Sequence, residues 1–212
     1  MSRVRTIVMV SVTLLLLAGC EQFFSTNLLS GMRRDPKNLS FDQQVAYAQS
    51  ALNSGDRDAM GDAYDALSES LEDQDNDDPE LNSLAAELAI GASGLNDTVP
   101  DLVDAAVEGD FSNKTELGNA VNDVLDDVDY DYINEAAGQV EQIQANGGEV
   151  SEEQYLLVGA GLVMEDAQAA GGVENIDASS PSRTFVEDAV TDLESRGDDS
   201  ELLNDLVDMY DS

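Results

Sequence analysis

Any chemistry in this chain would have to be done by carboxylates. Of its 212 residues, 45 are Asp or Glu and 9 are Lys or Arg, with no His, no Trp and a single Cys, Cys20. That inventory removes histidine bases, zinc sites, disulfide frameworks and Ser-His or Cys-His nucleophile pairs. Two carboxylates in one pocket could act as general acid and base, but acids this dense form such pairs everywhere by chance. There is no glycine-rich phosphate loop and no Gly-x-Ser-x-Gly elbow, so neither an enzyme nor a cofactor is expected. Alternating hard oxygens could hold Ca2+, and two runs alternate: Asp73, Asp75 and Asp77, then Asp126, Asp127, Asp129 and Asp131. In the first, Asp78 stands where a calcium loop needs its turn glycine, and Leu84 stands where it needs a bidentate Glu. A solvated acidic loop between two helical hairpins, without a resident metal, is the expectation there.

The net charge of -36 excludes nucleic acid as a direct partner, because phosphate binding requires positive charge to displace counterions. Strong charge can also mean disorder. Here 42% of the residues are apolar, many at helical spacing, which is enough to bury a core. The charge is also unevenly placed. Arg33, Arg34 and Lys37 lie together, whereas beyond residue 38 only Arg57, Lys114, Arg183 and Arg196 face 43 of the 45 acids.

The first residues read as an export signal. Arg3 and Arg5 give a positive start, and Ile7 to Leu17 is apolar apart from Ser11 and Thr13. The run is too short for a bilayer, which needs about 20 apolar residues as a helix. It ends in Leu17-Ala18-Gly19-Cys20, which resembles the lipobox of bacterial lipoproteins. That resemblance implies cleavage before Cys20, acylation of its thiol and stable anchoring without a spanning helix. Glu21, rather than Asp, after the cysteine implies the outer membrane, on its periplasmic or surface face. The expected organisation is a signal peptide over 1–19, a lipidated tether over 20–39 and an acidic all-α domain over 40–212. The tether's basic cluster could be drawn to anionic lipid.

The body reads as helix after helix. Apolar residues recur at three and four: Phe41, Val45, Ala48 and Leu52; Met60, Ala63, Leu67 and Leu71; Leu117, Val121, Val124, Leu125 and Val128; Leu202, Leu203, Leu206, Val207 and Tyr210. Starts are predicted at Ser40 with Gln43, Asp78 before Pro79, Asn113 with Glu116, Ser151 with Gln154, and Asp198 with Glu201. Stops are predicted at Gly55, Gly109, Gly147-Gly148 and Gly171-Gly172. The last two helices are placed near 182–196 and 199–211. Every second start gives Ser40, Asp78, Asn113 and Ser151, spaced by 38, 35 and 38 residues with two helices per interval. The segment Ala51 to Ala59, followed by Ala63 and Ala66, resembles the inter-helix turn of a tetratricopeptide repeat, whose unit is about 34 residues. The expected fold is all-α, about nine helices in a stack of antiparallel hairpins, either tetratricopeptide-like or an irregular bundle. Tyr155 to Met164 is apolar around its whole circumference and is predicted to lie centrally.

The expected function is that of a membrane-anchored cell-envelope lipoprotein, a non-enzymatic module that binds or assembles a protein or peptide through its helical surface. The alternative is a small apolar-ligand carrier or transport accessory, with a pocket lined by the Tyr155–Met164 helix. Asp outnumbers Glu 28 to 17 and the chain has two lysines, a composition that resembles proteins from salt-rich habitats. Self-repulsion of this size opposes a compact state, whereas at about 1 M salt the screening length shrinks to about 3 Å. The melting temperature should therefore rise between about 0.1 M and about 2 M NaCl. Melting curves followed by circular dichroism check this, and overlaid curves would remove the salt-adaptation reading.

Overall fold

Each described helix starts where a side-chain oxygen stands next to free backbone N–H groups. The computed structural model describes residues 35–74, 76–96, 127–172, 175–177, 179–198 and 200–210. Among them are seven α-helices and no strand: α1 (Phe41–Ser54), α2 (Arg57–Asp73), α3 (Pro79–Ser93), α4 (Tyr130–Ala145), α5 (Glu152–Ala170), α6 (Pro181–Arg196) and α7 (Glu201–Met209). A short 3-10 turn, Pro36–Asn38, precedes α1. The all-α class is thus observed. Asp56, Asp78 and Asp129 accept from the first-turn N–H groups of α2, α3 and α4 at 3.0, 3.0 and 3.1 Å. Acidic caps at these ends also complement the positive pole of each helix. Ser151 and Gln154 form the expected capping box of α5, and Gln43 accepts from the Ser40 N–H at the start of α1.

Two boundaries differ from expectation. Asp198 does not cap α7. Its N–H donates to the Leu193 carbonyl at 3.0 Å in the closing turn of α6, so it belongs to the helix before it. Ser200 takes the capping role, its hydroxyl accepting from Leu203 N–H at 3.3 Å. Val128 lies outside any helix, because Asp129 caps α4 and the helix begins only at Tyr130. The starts and stops expected at Asn113 and Gly109, and the apolar series from Leu117 to Leu125, lie outside the described residues.

Consecutive described helices run antiparallel where hydrogen bonds tie them. Ser70 near the end of α2 meets Gln44 near the start of α1 at 2.7 Å, and Gln144 near the end of α4 meets Tyr155 near the start of α5 at 2.7 Å. Packing also links alternate helices, α1 with α3, α3 with α5 and α5 with α7. Small residues permit this closeness. A Cβ on Gly161 of α5 would come within 2.9 Å of the Ile133 side chain on α4, and one on Gly61 of α2 within 2.7 Å of the Tyr132 hydroxyl. Ala51, Ala63 and Ala66, singled out by the repeat-like turn, are all buried.

The helix most enclosed is α3 rather than α5. Nine of the 15 residues of α3 are buried against seven of the 19 of α5. The reason is size: Ala85, Ala86, Ala89 and Ala92 let neighbours approach α3 closely, whereas Leu156, Leu157, Ala160 and Met164 of α5 remain only half-buried. No helix among the described residues is long and apolar enough to cross a membrane.

One cation holds the end of α3. The Arg57 guanidinium donates to the carbonyls of Ala92 (2.7 Å), Ser93 (2.7 Å) and Asp127 (2.9 Å). It lies against Gly94, whose φ of 78° and lack of Cβ leave room for it. The last carbonyls of a helix have no intrahelical partner, and a planar fork of donors satisfies several at once. Replacing Arg57 by Met should cost about 2–4 kcal/mol of stability, and Arg57→Lys should recover only part of it. Urea midpoints of the two variants at neutral pH check the order; an Arg57→Met midpoint equal to wild type would refute it.

Candidate functional site

Three tyrosines form the polar joints of the fold, and one of them opens onto a cleft. Tyr64 of α2 is buried, and its hydroxyl donates to Glu135 Oε2 of α4 at 2.6 Å. Its ring meets Tyr132 edge-on at 5.8 Å. Tyr155 of α5 donates to Asp192 of α6 at 2.8 Å, and Asp192 in turn pairs with Arg196 at 2.9 Å. Tyr210 donates to Asp166 of α5 at 3.0 Å. Burial first, and the neighbouring carboxylate second, push all three hydroxyls well above the ordinary 10.0. At neutral pH each is a fixed donor and no source of protons.

Beside Tyr64 lies a cleft of about 680 Å³, within the range of ligand sites. Lys37, Asp65, Ser68, Glu69, Glu72, Asp77, Asn82, Glu135, Gln139 and Gln142 contribute to its walls. The Lys37 ammonium pairs with Glu69 at 3.1 Å, so the one lining cation is already engaged. Asn82 on α3 is 4% exposed. Gln139 has a buried Oε1 without a partner among the described residues, and its side chain also bonds the Tyr64 hydroxyl. Glu135, Gln139 and Gln142 stand at helical spacing along one face of α4, a polar stripe visible in the sequence but indistinguishable there from a solvated face. A second, shallower hollow of about 450 Å³ surrounds Arg57 and Asp127 to Asp131; its cation is the one already holding α3.

The residues singled out from sequence are scattered. Cys20, with its lipobox, and the basic pair Arg33 and Arg34 lie outside the described residues, as do Asp75 and Asp126. Asp73 ends α2, whereas Asp77 lies on the cleft wall. Asp127 offers its carbonyl to Arg57, Asp129 caps α4 and Asp131 falls in the first turn of α4. Among the described residues, no three Asp, Glu, His or Cys side chains converge as a metal site would require. The cleft residues Tyr64, Asn82, Glu135 and Gln139 were not legible as a site, because their spacing within each helix carries no signature and only the packing of α2 and α4 against α3 brings them together.

No family model matches the chain, and no curated protein or solved structure shows significant similarity to it.

The raised tyrosine hydroxyls carry a pH consequence. Between the ordinary value of 10.0 and the higher folded value, the unfolded chain has lost these protons and the folded chain keeps them. Their contribution to stability is thus complete below about pH 10 and is lost as pH climbs through the folded values. The urea midpoint should hold up to about pH 10 and fall steeply above it. The triple variant Tyr64→Phe, Tyr155→Phe, Tyr210→Phe should flatten that fall, and an unchanged slope would refute the assignment.

Proposed function

We propose that the protein is a lipid-anchored cell-envelope protein whose helical body acts as a non-enzymatic docking module for a protein or peptide partner. The observation that carries the docking part is the polar cleft beside Tyr64, about 680 Å³ in volume and formed on three helices. The antiparallel sequence of described helices, and the additional packing of α1 with α3, α3 with α5 and α5 with α7, support a stack of helical hairpins of tetratricopeptide-like kind. In this reading residues 1–19 are the signal peptide, 20–39 the lipidated tether and the remainder the acidic module, with about nine helices in all. The lipobox at Leu17-Ala18-Gly19-Cys20 and the following Glu21 support anchoring through Cys20 in the outer membrane.

The apolar-ligand alternative has less support. The space beside Gly161 is occupied by Ile133, and the space beside Gly159 by Val186, Leu206 and Leu203, so the glycines of α5 admit neighbouring helices where a guest would have to sit. Neither of the two clefts is lined by residues 155–164. A carboxylate-based catalyst has no observation in its favour, since the best-placed hydroxyl, Tyr64, keeps its proton far above neutral pH.

The anchor is tested by mass spectrometry of the amino-terminal peptide from intact cells and by fractionation. The expected result is an acylated Cys20 at the mature terminus, recovery in the membrane fraction, and release of the Cys20→Ala variant to the soluble fraction. A bare thiol on wholly soluble protein would end this reading.

A further inference from the structure

We propose that Asn146 is a site of spontaneous deamidation, held in check by the closing turn of α4, and that its conversion loosens the joint between α4 and α3. Docking plays no part in this chemistry. Asn146-Gly147 is the only Asn-Gly pair in the chain. Glycine leaves the backbone nitrogen after the asparagine uncrowded, and an exposed pair of this kind reacts with itself. The Gly147 nitrogen gives its proton to hydroxide and bonds to Asn146 Cγ. The Cγ–Nδ2 bond then breaks, Nδ2 takes up a proton from water and leaves as ammonia, and a five-membered imide remains. Water opens the imide at either carbonyl, giving aspartate or the isomer whose main chain runs through the β-carbon. Water is the one co-reactant.

The turn opposes each part of that step. Asn146 is exposed at the end of α4 with ψ at 10°, which turns the Gly147 nitrogen away from the asparagine side chain. The Gly147 N–H donates to the Gln144 carbonyl at 3.0 Å, so the nucleophile is occupied. Asn146 Nδ2 donates to the Gln142 carbonyl at 2.9 Å, so the carbon under attack is fixed as well. All three restraints belong to one turn at a helix end, the part of a helix that frays first. Nothing lies within 4 Å of where a Cβ on Gly147 would stand, so no neighbour resists the opening. Asn53-Ser54 and Asn82-Ser83 differ twice: both residues of each pair lie within a helix, and a side chain crowds the following nitrogen.

The product fits the turn badly. A carboxylate cannot donate to the Gln142 carbonyl, and it places negative charge at the negative pole of α4. The isomer also lengthens the main chain just ahead of Gly148, whose N–H donates to the Ile143 carbonyl at 2.8 Å. A Cβ on Gly148 would run into Ile143 and Pro79, the first residue of α3, so this seat has no slack.

The test incubates the full chain in mildly alkaline buffer, folded or unfolded in guanidinium chloride. Peptide mapping by mass spectrometry locates the conversion, and an isoaspartyl methyltransferase assay reads the isomer. Conversion is expected at Asn146 ahead of Asn53 and Asn82, about tenfold to a hundredfold slower in the folded chain than in the unfolded one. Gly148→Ala forces the turn open without touching the reacting pair, and should speed the folded chain at least about threefold while leaving the unfolded rate unchanged. If that variant does not fold, wild-type rates in denaturant below the unfolding transition take its place and should rise with denaturant. Converted protein, separated by anion exchange, should have a lower urea midpoint than its parent. Equal rates in the folded and unfolded chain, faster conversion at Asn53 or Asn82, or equal midpoints would overturn the proposal. So would a folded chain still unconverted after about a hundred half-lives of the unfolded one.

Discussion

Arg57 directs its guanidinium at three backbone carbonyls in a chain crowded with carboxylates, and that choice fixes how α2, α3 and the entry to α4 meet. A surface ion pair would contribute little, because exposed partners are well solvated and their charges screened. The carboxy-terminal carbonyls of α3 are different. They have no intrahelical partner, Ser93 is fully buried, and Gly94 turns the chain away at once. Arg196 follows the same logic at the other end of the fold, donating to the Val150 carbonyl at 2.8 Å while pairing with Asp192. Arg57 and Arg196 thus sit where the backbone needs donors, whereas Lys37 and Arg183 pair with Glu69 and Glu187.

That distribution explains how so charged a chain folds around small residues. Acids cap α2, α3 and α4, where helix poles favour negative charge. Elsewhere they occupy exposed faces, and the interior is filled by Ala, Leu, Val and Ile with close helix contact at Gly61 and Gly161. Where acids come together between helices, the strain shows in protonation: at Glu87 on α3, burial first and the charge of Glu153 on α5 second push the carboxyl above its ordinary 4.5. Salt that screens such pairs relieves a cost that grows with every carboxylate.

How much of this was legible depended on whether the controlling contacts were local. The all-α class, the box at Ser151 and Gln154 and the stop at Gly55 follow from residues within one turn of each other, and they appear where the periodicity placed them. Asp198 was misplaced because two candidate oxygens, Asp198 and Ser200, compete just ahead of α7. Only the geometry of the preceding turn decides between them. Hydropathy ranks Leu and Val above Ala, yet α3 is more enclosed than α5, because enclosure depends on how near neighbours can come and the alanines of α3 admit them closely. The cleft was invisible for a third reason: Tyr64 and Glu135 lie far apart in sequence, and nothing within either helix announces the other.

The tyrosine joints at Tyr155 and Tyr64 express one chemistry. At Tyr155, the acceptor-rich surface is met by an internal donor: the hydroxyl donates to Asp192 and accepts from the Gln144 amide at 2.7 Å, so three helices are tied. At Tyr64 the arrangement repeats: its hydroxyl donates to Glu135 and the side chains of Gln139 and Ser68 bond to it in turn, while Gln139 Oε1 is buried without a partner among the described residues. A hydrogen bond to a charged partner is about twice as strong as a neutral one, and a buried polar group left without any partner pays its full desolvation. The fold therefore places its few hydroxyl and amide donors where helices must be joined, and leaves the exposed carboxylates of the cleft rim to water.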